Sequence, residues 1–249
     1  MASKIIVDQL EKTGGTLTAL TLPSANGTAN QYIKNDGAGA LSWATLVAGF
    51  SKVTYVTATD AAWAFQATTT KAIVEVQASG GTAGSMDSPG YQGGGGGAGS
   101  YARKFLDSSA VTGATPKLNI LIGAVAGIAA TGTTTSVASA GTSVFTTITC
   151  DGGDGGVTAT GTAQAGGVGG AVPTTGDFNI AGGNGCGGQL ATAPGGQSFL
   201  GIGNYKNSSA AGAGPAPCGY GSGGTGAAGS GGHLGGAGGP AIVIIWEFV

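Results

Sequence analysis

Residues 71–106 read KAIVEVQASGGTAGSMDSPGYQGGGGGAGSYARKFL, and this stretch sets a glycine tract between two β-forming runs. The first run, Lys71–Gln77, alternates with the two-residue period of a β-strand. One face of that strand carries Ala72, Val74 and Val76, and the other carries Ile73, Glu75 and Gln77. The second run, residues 100–106, is also rich in β-forming residues. The stretch therefore predicts glycine tracts inserted into a β scaffold.

Glycine is the outlier of the composition, with 54 among 249 residues, or roughly three times average usage. A glycine in regular structure costs about 0.5–1 kcal/mol relative to alanine, because it loses more backbone freedom on folding. Since glycine has no side chain to pack, we expect close backbone approach, dense hydrogen bonding and neighbouring subunits to offset that cost. The net charge of only −2 argues against a disordered chain.

The charge balance excludes several classes of partner. With 9 Lys and Arg against 11 Asp and Glu, the chain has no basic footprint for nucleic acid and no polybasic run for an anionic membrane. The longest weakly polar stretch, residues 118–130, is too short to span a bilayer and is interrupted by glycines. The first residues lack the apolar core of a signal peptide, so we expect assembly in a cytoplasm. In that compartment we expect the three cysteines, Cys150, Cys186 and Cys218, to carry reduced thiols.

The remaining runs predict an all-β protein with a β-sandwich-like, glycine-rich domain over residues 50–249 and a short β-rich attachment segment over residues 1–49. An Asp36-Gly37 turn between residues 31–34 and 41–45 indicates a hairpin. Further strands are expected at residues 116–122, 142–149, 197–202 and 241–249. The glycine tracts lack a strict third-residue glycine, which excludes collagen. They are either long loops or extended polyglycine helices packed side by side.

Two motifs carry a resemblance to a known family. The final GGAGGPAIVIIWEF, residues 235–248, joins a glycine run through Gly239-Pro240 to a hydrophobic strand with an acidic residue. This resembles the C-terminal glycine-rich domain of phage tail fibre proteins. Residues 5–15, IIVDQLEKTGG, and the segment that follows them up to residues 30–45, NQYIKNDGAGALSWAT, are similar to the opening segments of such fibres. The resemblance implies a homotrimer located on the virion, assembled with other tail or fibre proteins.

Two sets of residues are candidates for binding. The attachment candidates are Ile5, Ile6, Val7 and Leu10. The receptor-contact candidates lie among glycines: Tyr91, Tyr205, Tyr220 and His233. Tyrosine offers a large contact face and a hydroxyl at low entropic cost, which suits a host glycan or an outer-membrane protein. A capsid decoration or head-fibre protein without a receptor is the alternative. The tryptophans Trp43, Trp63 and Trp246 lie in strand-like runs and are expected in the core or at a subunit interface.

The sequence contains no complete motif for catalysis, nucleotide binding or metal binding. The sequence contains no GxSxG motif that could supply a serine nucleophile to its one histidine, His233. Residues 93–99 lack the Gly-Lys-Ser/Thr ending of a P-loop. Asp151 and Asp154 in CDGGDGG suggest a calcium site, but two carboxylates are too few for six to eight oxygen ligands. We therefore expect a non-enzymatic protein without cofactor or metal.

Overall fold

The computed structural model describes most of the chain: residues 9–10, 20–29, 31–35, 40–45, 49–86, 91–111, 117–125, 127–140, 145–160, 164–188, 193–203, 217–227 and 232–249. The chain divides into two compact units, Met1–Gly49 and Phe50–Val249.

The first unit contains two short antiparallel pairs. Its strands are β1 (Gln9–Leu10), β2 (Leu20–Thr21), β3 (Gln31–Asn35) and β4 (Leu41–Thr45). β1 pairs with β2, and β3 pairs with β4, so the hairpin predicted around Asp36-Gly37 is confirmed, with the turn itself outside the described residues. Trp43 is half-buried, and its Nε1 donates a hydrogen bond to the carbonyl of Ala25 at 2.7 Å.

Among the described residues, the regular secondary structure of the second unit consists almost entirely of β-strands. They are β5 (Phe50–Val56), β6 (Asp60–Ala64), β7 (Lys71–Gln77), β8 (Tyr101–Leu106), β9 (Lys117–Leu121), β10 (Thr135–Ala140), β11 (Ile148–Cys150), β12 (Phe178–Ile180), β13 (Gly201–Ile202), β14 (Cys218–Gly219) and β15 (Ile242–Phe248). One short helix, α1 (Ser108–Val111), follows β8. The all-β prediction is therefore confirmed.

Two antiparallel sheets enclose the core of this unit. The five-stranded sheet has the order β12-β8-β7-β15-β5, and the four-stranded sheet has the order β11-β10-β9-β6. Both sheets contribute to one cluster of buried side chains, which includes Val74, Val76, Val243, Ile245, Leu118, Ile120, Val137 and Ile148. The two faces predicted for β7 are confirmed, because Ala72, Val74 and Val76 are fully buried in that core. Trp63 packs against the core with its ring edge-on to Phe65.

Two strand predictions need correction. Of residues 197–202, only Gly201–Ile202 lies in a strand. Of residues 142–149, described from 145 onward, only the end lies in a strand, Ile148–Cys150. A strand that the pattern did not indicate, Thr135–Ala140, pairs with both β9 and β11. Its sequence TSVASA has few bulky β-formers, and it is held by its neighbours, with Val137 opposite Ile120 and fully buried. Tertiary pairing overrides weak local β propensity here.

The glycine-rich segments leave the sheets and return to them. The outgoing segments continue directly from strands β7, β11, β12 and β14; they are residues 78–86, 151–160, 181–188 and 220–227. The returning segments are residues 91–100, 164–171, 193–198 and 232–241. Together they form what we call the glycine bundle. The residues that join each pair, 87–90, 161–163, 189–192 and 228–231, lie outside the described residues.

Residues 94–100 occupy the centre of the glycine bundle, and their N–H groups donate in turn to three different neighbours. Gly94, Gly97 and Ser100 donate to Val157, Asp154 and Asp151; Gly95 and Ala98 donate to Cys186 and Gly183; Gly96 and Gly99 donate to Gly224 and Gly221. Each of these distances is 2.8–2.9 Å. The three-residue repeat is that of an extended helix of the polyproline II type, which has no internal hydrogen bonds.

The carbonyl groups of the same segment accept hydrogen bonds from three further neighbours. Ala78, Gly81 and Gly84 donate to Ser100, Gly97 and Gly94; Gly167 and Gly170 donate to Gly95 and Ala98; Gly196 donates to Gly96. The central segment is therefore bonded to six surrounding segments among the described residues. Of the two arrangements that the sequence left open, this bonding matches extended helices packed side by side.

Candidate functional site

The receptor-contact candidates are divided between the two ends of the glycine bundle. Tyr91 and His233 belong to its far end, away from the sheets, where the Met86 N–H donates to the His233 carbonyl at 2.9 Å. The Tyr91 side chain is 40% exposed, and Leu234 beside His233 is 53% exposed. Met86 is fully buried below them. This end presents an exposed aromatic side chain and an imidazole on a backbone held by hydrogen bonds.

Tyr220 lies instead at the end near the sheets. The next residue, Gly221, accepts a hydrogen bond from the Gly99 N–H at 2.8 Å, just before β8 begins. At about 3.1 Å per residue, the segment from Tyr91 to Gly99 separates the two ends by roughly 25 Å. Tyr220 lines an open cavity of about 560 Å³ together with Thr57, Thr59, Ile122, Val125 and Pro240.

Of the other candidates, only Leu10 lies within the described residues. Tyr205, Ile5, Ile6 and Val7 lie outside the described residues. Leu10 is described in β1, where it pairs with Leu20. The structure thus brings Tyr91 and His233 to one end of the glycine bundle and keeps Tyr220 apart from them.

Asp151 and Asp154 are both exposed on one segment of the glycine bundle. Each accepts from a threonine hydroxyl, Asp154 from Thr131 at 3.2 Å and Asp151 from Thr134 at 3.5 Å. In the part of the chain that the structure describes, no three His, Cys, Asp or Glu side chains group closely enough to hold a metal ion.

Four strands of the five-stranded sheet form a surface that the sequence patterns did not predict. Its outward side chains belong to β5, β7, β8 and β15, and the strand register makes them neighbours. They are Phe50, Val53, Tyr55, Ile73, Phe105, Trp246 and Phe248, and we call this surface the aromatic face. Phe50 is 54% exposed, Tyr55 61% and Phe105 51%. The alternation of each strand contains this signal, but only the register between distant strands joins the residues into one surface.

Three polar side chains, those of Glu75, Arg103 and Tyr101, lie beside the aromatic face. The Nε1 of Trp246 donates to Glu75 Oε1 at 3.1 Å, and Glu75 is directly opposite Arg103 on β8. Tyr101 is 1% exposed beside Phe199, with ring centroids 4.2 Å apart. Burial, followed by the charge of Glu75 and a hydrogen bond to it, raises the pKa of the Tyr101 hydroxyl above its usual range. Tyr101 therefore stays protonated as a donor toward Glu75.

The three cysteines differ in accessibility, which gives a chemical test of the fold. Cys150 is buried in the core, while Cys186 and Cys218 are exposed. Burial raises the pKa of the Cys150 thiol to about 12. Because the thiolate is the reactive form, Cys150 stays protonated and inert at about pH 8.

We expect native protein at about pH 8 to react with Ellman's reagent at Cys186 and Cys218, and at Cys150 only after denaturation. A Cys150→Ala variant should have the same number of reactive thiols as the native parent chain and lose one in denaturant. Rapid labelling of Cys150 in the native protein, located by peptide mass spectrometry, would contradict its buried position.

No protein-family model and no curated protein matches the chain. Among the described residues, no helix has the length and apolar character needed to cross a membrane. The comparisons therefore name no relative, and a functional interpretation depends on the sequence motifs and the geometry above.

Proposed function

We propose that the chain is a virion structural protein, a tail fibre or related appendage, that binds other surfaces and catalyses no reaction. The observation that carries the proposal is the glycine bundle, in which the segment 94–100 is hydrogen-bonded to six neighbours. A backbone tied in this way is a rigid support, and rigid supports that present loop residues commonly serve recognition. The resemblance of residues 235–248 and 30–45 to tail fibre motifs supports the same assignment.

The two units have separate roles in this proposal. Met1–Gly49 attaches the chain to the particle or to another fibre protein, and Phe50–Val249 forms the body that reaches the host. The protein assembles in the host cytoplasm as a homotrimer and functions on the virion. Three copies multiply weak contacts, because binding by linked sites raises the overall affinity without any new contact.

The far end of the glycine bundle is the proposed contact with the host surface. Tyr91 supplies an exposed ring and hydroxyl, and the half-buried His233 supplies a polar ring. A neutral glycan or an exposed loop of an outer-membrane protein suits this chemistry, because tyrosine combines an apolar face with a hydrogen-bonding tip. The chain uses no cofactor or metal for this role.

Alanine replacement of Tyr91 together with His233 is expected to lower binding of the full-length protein to host cells by at least about tenfold. Fluorescently labelled protein is titrated against a panel of bacterial strains and against their purified outer-membrane vesicles. Tyr220→Ala is the control, because this residue has the same type of side chain at the opposite end of the glycine bundle. Equal loss for the control, or no binding to any strain, would contradict the proposal.

Immunogold labelling of particles tests the location. Label on the tail supports a fibre, whereas label spread over the head would favour the alternative of a capsid decoration or head-fibre protein.

Deletion of residues 1–49 should remove the protein from the particle, and normal incorporation of the shortened chain would contradict the attachment role.

A further inference from the structure

We propose that the aromatic face of the five-stranded sheet is buried against a second copy of this chain. The inference locates the contact between copies in the homotrimer of the proposed function, where the equivalent faces meet around the threefold axis, and it rests on that part of the proposed function alone. It needs neither a host receptor nor a position on the particle. The evidence is the exposure of the face, its area, its charge and its place at the edge of a sheet.

The first observation is that the outer side of the sheet is covered unequally. At the end next to the glycine bundle, Gln77, Tyr101 and Ile242 are at most 1% exposed. At the other end, Phe50, Tyr55 and Phe105 are each more than half exposed. The same sheet surface thus passes from a covered half to an open half within a few residues.

The area of the open half matches the apolar part of a stable interface. An aromatic side chain presents about 150–250 Å², so the exposed fractions of Phe50, Tyr55 and Phe105 leave roughly 300 Å². The half-buried Val53, Ile73, Trp246 and Phe248 raise this to roughly 500 Å². A standard interface buries about 800 Å² on each partner, of which 56–65% is apolar, or about 500 Å². One face of this size therefore suffices for one partner.

Few charged side chains lie on and beside the face. Glu75 and Arg103 are directly opposite each other in the strand register, and the exposed Lys71 is opposite Phe248. Glu75 also accepts the Trp246 Nε1 hydrogen bond, which satisfies the indole that the interface would bury. The rest of the face is aromatic or aliphatic, and a mostly apolar surface of this kind fits the equivalent surface of an identical copy. The net charge of −2 puts little repulsion between copies.

The position of the face in the sheet also suits a copy of the same fold. β5, which carries Phe50, Val53 and Tyr55, is the outer strand of the five-stranded sheet. Exposed edge strands tend to pair with or pack on another chain, and natural proteins usually cover them. Two β-sheets pack well face to face about 10 Å apart with interdigitated side chains, as the two sheets of this unit already do around Val74 and Ile245.

Negative charges introduced on the face should separate the copies. We expect Tyr55→Glu combined with Phe105→Glu to raise the dissociation constant of the oligomer by at least about 100-fold, since exposed aromatics dominate interface energies. Sedimentation equilibrium of the full-length protein across the micromolar range measures the mass. Both side chains are more than half exposed, so the double variant should keep its native far-UV circular dichroism spectrum.

Val168→Glu and Ile202→Glu are matched controls, because these residues are 59% and 64% exposed and lie outside the aromatic face. Both control variants should keep the mass of the parent chain. A parent chain that is monomeric throughout the range, or a double variant with unchanged mass, would overturn the inference. Sedimentation uses purified protein without host cells, so this failure is distinct from a failure of host binding.

Discussion

A chain in which Gly97 is replaced by alanine is expected to lose at least about 4 kcal/mol of unfolding free energy, or not to fold at all. The Gly97 N–H donates to Asp154, and its carbonyl accepts from Gly81, both at 2.8 Å. A Cβ on Gly97 would overlap the carbonyl oxygen of Val168. That oxygen belongs to backbone that is itself hydrogen-bonded into the glycine bundle, so it cannot move away without breaking other bonds.

A graded series of substitutions separates this steric cause from a general effect of adding a methyl group. A Cβ on Gly127 meets nothing within 4 Å, and one on Gly187 meets only the Gln164 carbonyl at 3.0 Å. Gly127→Ala should therefore change the unfolding free energy by less than about 1 kcal/mol, with Gly187→Ala between the two extremes. Urea unfolding followed by circular dichroism gives all three values. Equal effects at Gly97 and Gly127 would contradict close backbone packing as the reason for the glycines.

The second large effect is expected at Glu247, which is 0% exposed although β15 is otherwise apolar. It lies on the core face of the sheet, and its Oε2 accepts from the Gln66 N–H at 2.8 Å and the Thr69 hydroxyl at 2.6 Å. Glu247→Ala removes the acceptor and leaves both donors without it, and Thr69 is buried. We expect a loss of about 2–4 kcal/mol of unfolding free energy.

Glu247→Gln is the matched control, because the amide oxygen can still accept from Gln66 and Thr69 at nearly the same volume. We expect it to cost about 1 kcal/mol or less. Thermal and urea unfolding measure both variants under the same conditions. If Glu247→Gln were as destabilising as Glu247→Ala, the hydrogen-bond acceptor would not be what this position contributes.

The alternation in two runs of sequence was enough to predict the central strands. Lys71–Gln77 shows which side chains enter the core, and residues 241–249 contain the strand Ile242–Phe248 that pairs with it. Side-chain alternation is a local property, so it is readable without knowing the partner strand. The inward position of Glu247 follows from the same alternation, but its two donors come from the turn before β7 and are visible only in three dimensions.

The candidate site was less predictable for the same reason. Tyr91 and Tyr220 have similar glycine-rich surroundings in the sequence, yet they belong to opposite ends of the glycine bundle. The order of outgoing and returning segments decides which end a residue occupies. The aromatic face joins residues as far apart as Phe50, Phe105 and Trp246, and no short-range pattern links them.

By itself, the amino-acid sequence determined that this protein is all-β and that its glycines need close backbone packing. The first follows from local periodicity and the second from the entropy that glycine loses on folding. Only the tertiary structure decided which segments surround residues 94–100, and which side of the five-stranded sheet stays open. The physical reason is that a glycine has no side chain to mark which neighbour its backbone faces. The three-residue period of the glycine bundle is therefore visible in the hydrogen bonds between distant segments, whereas the order of the residues does not show it.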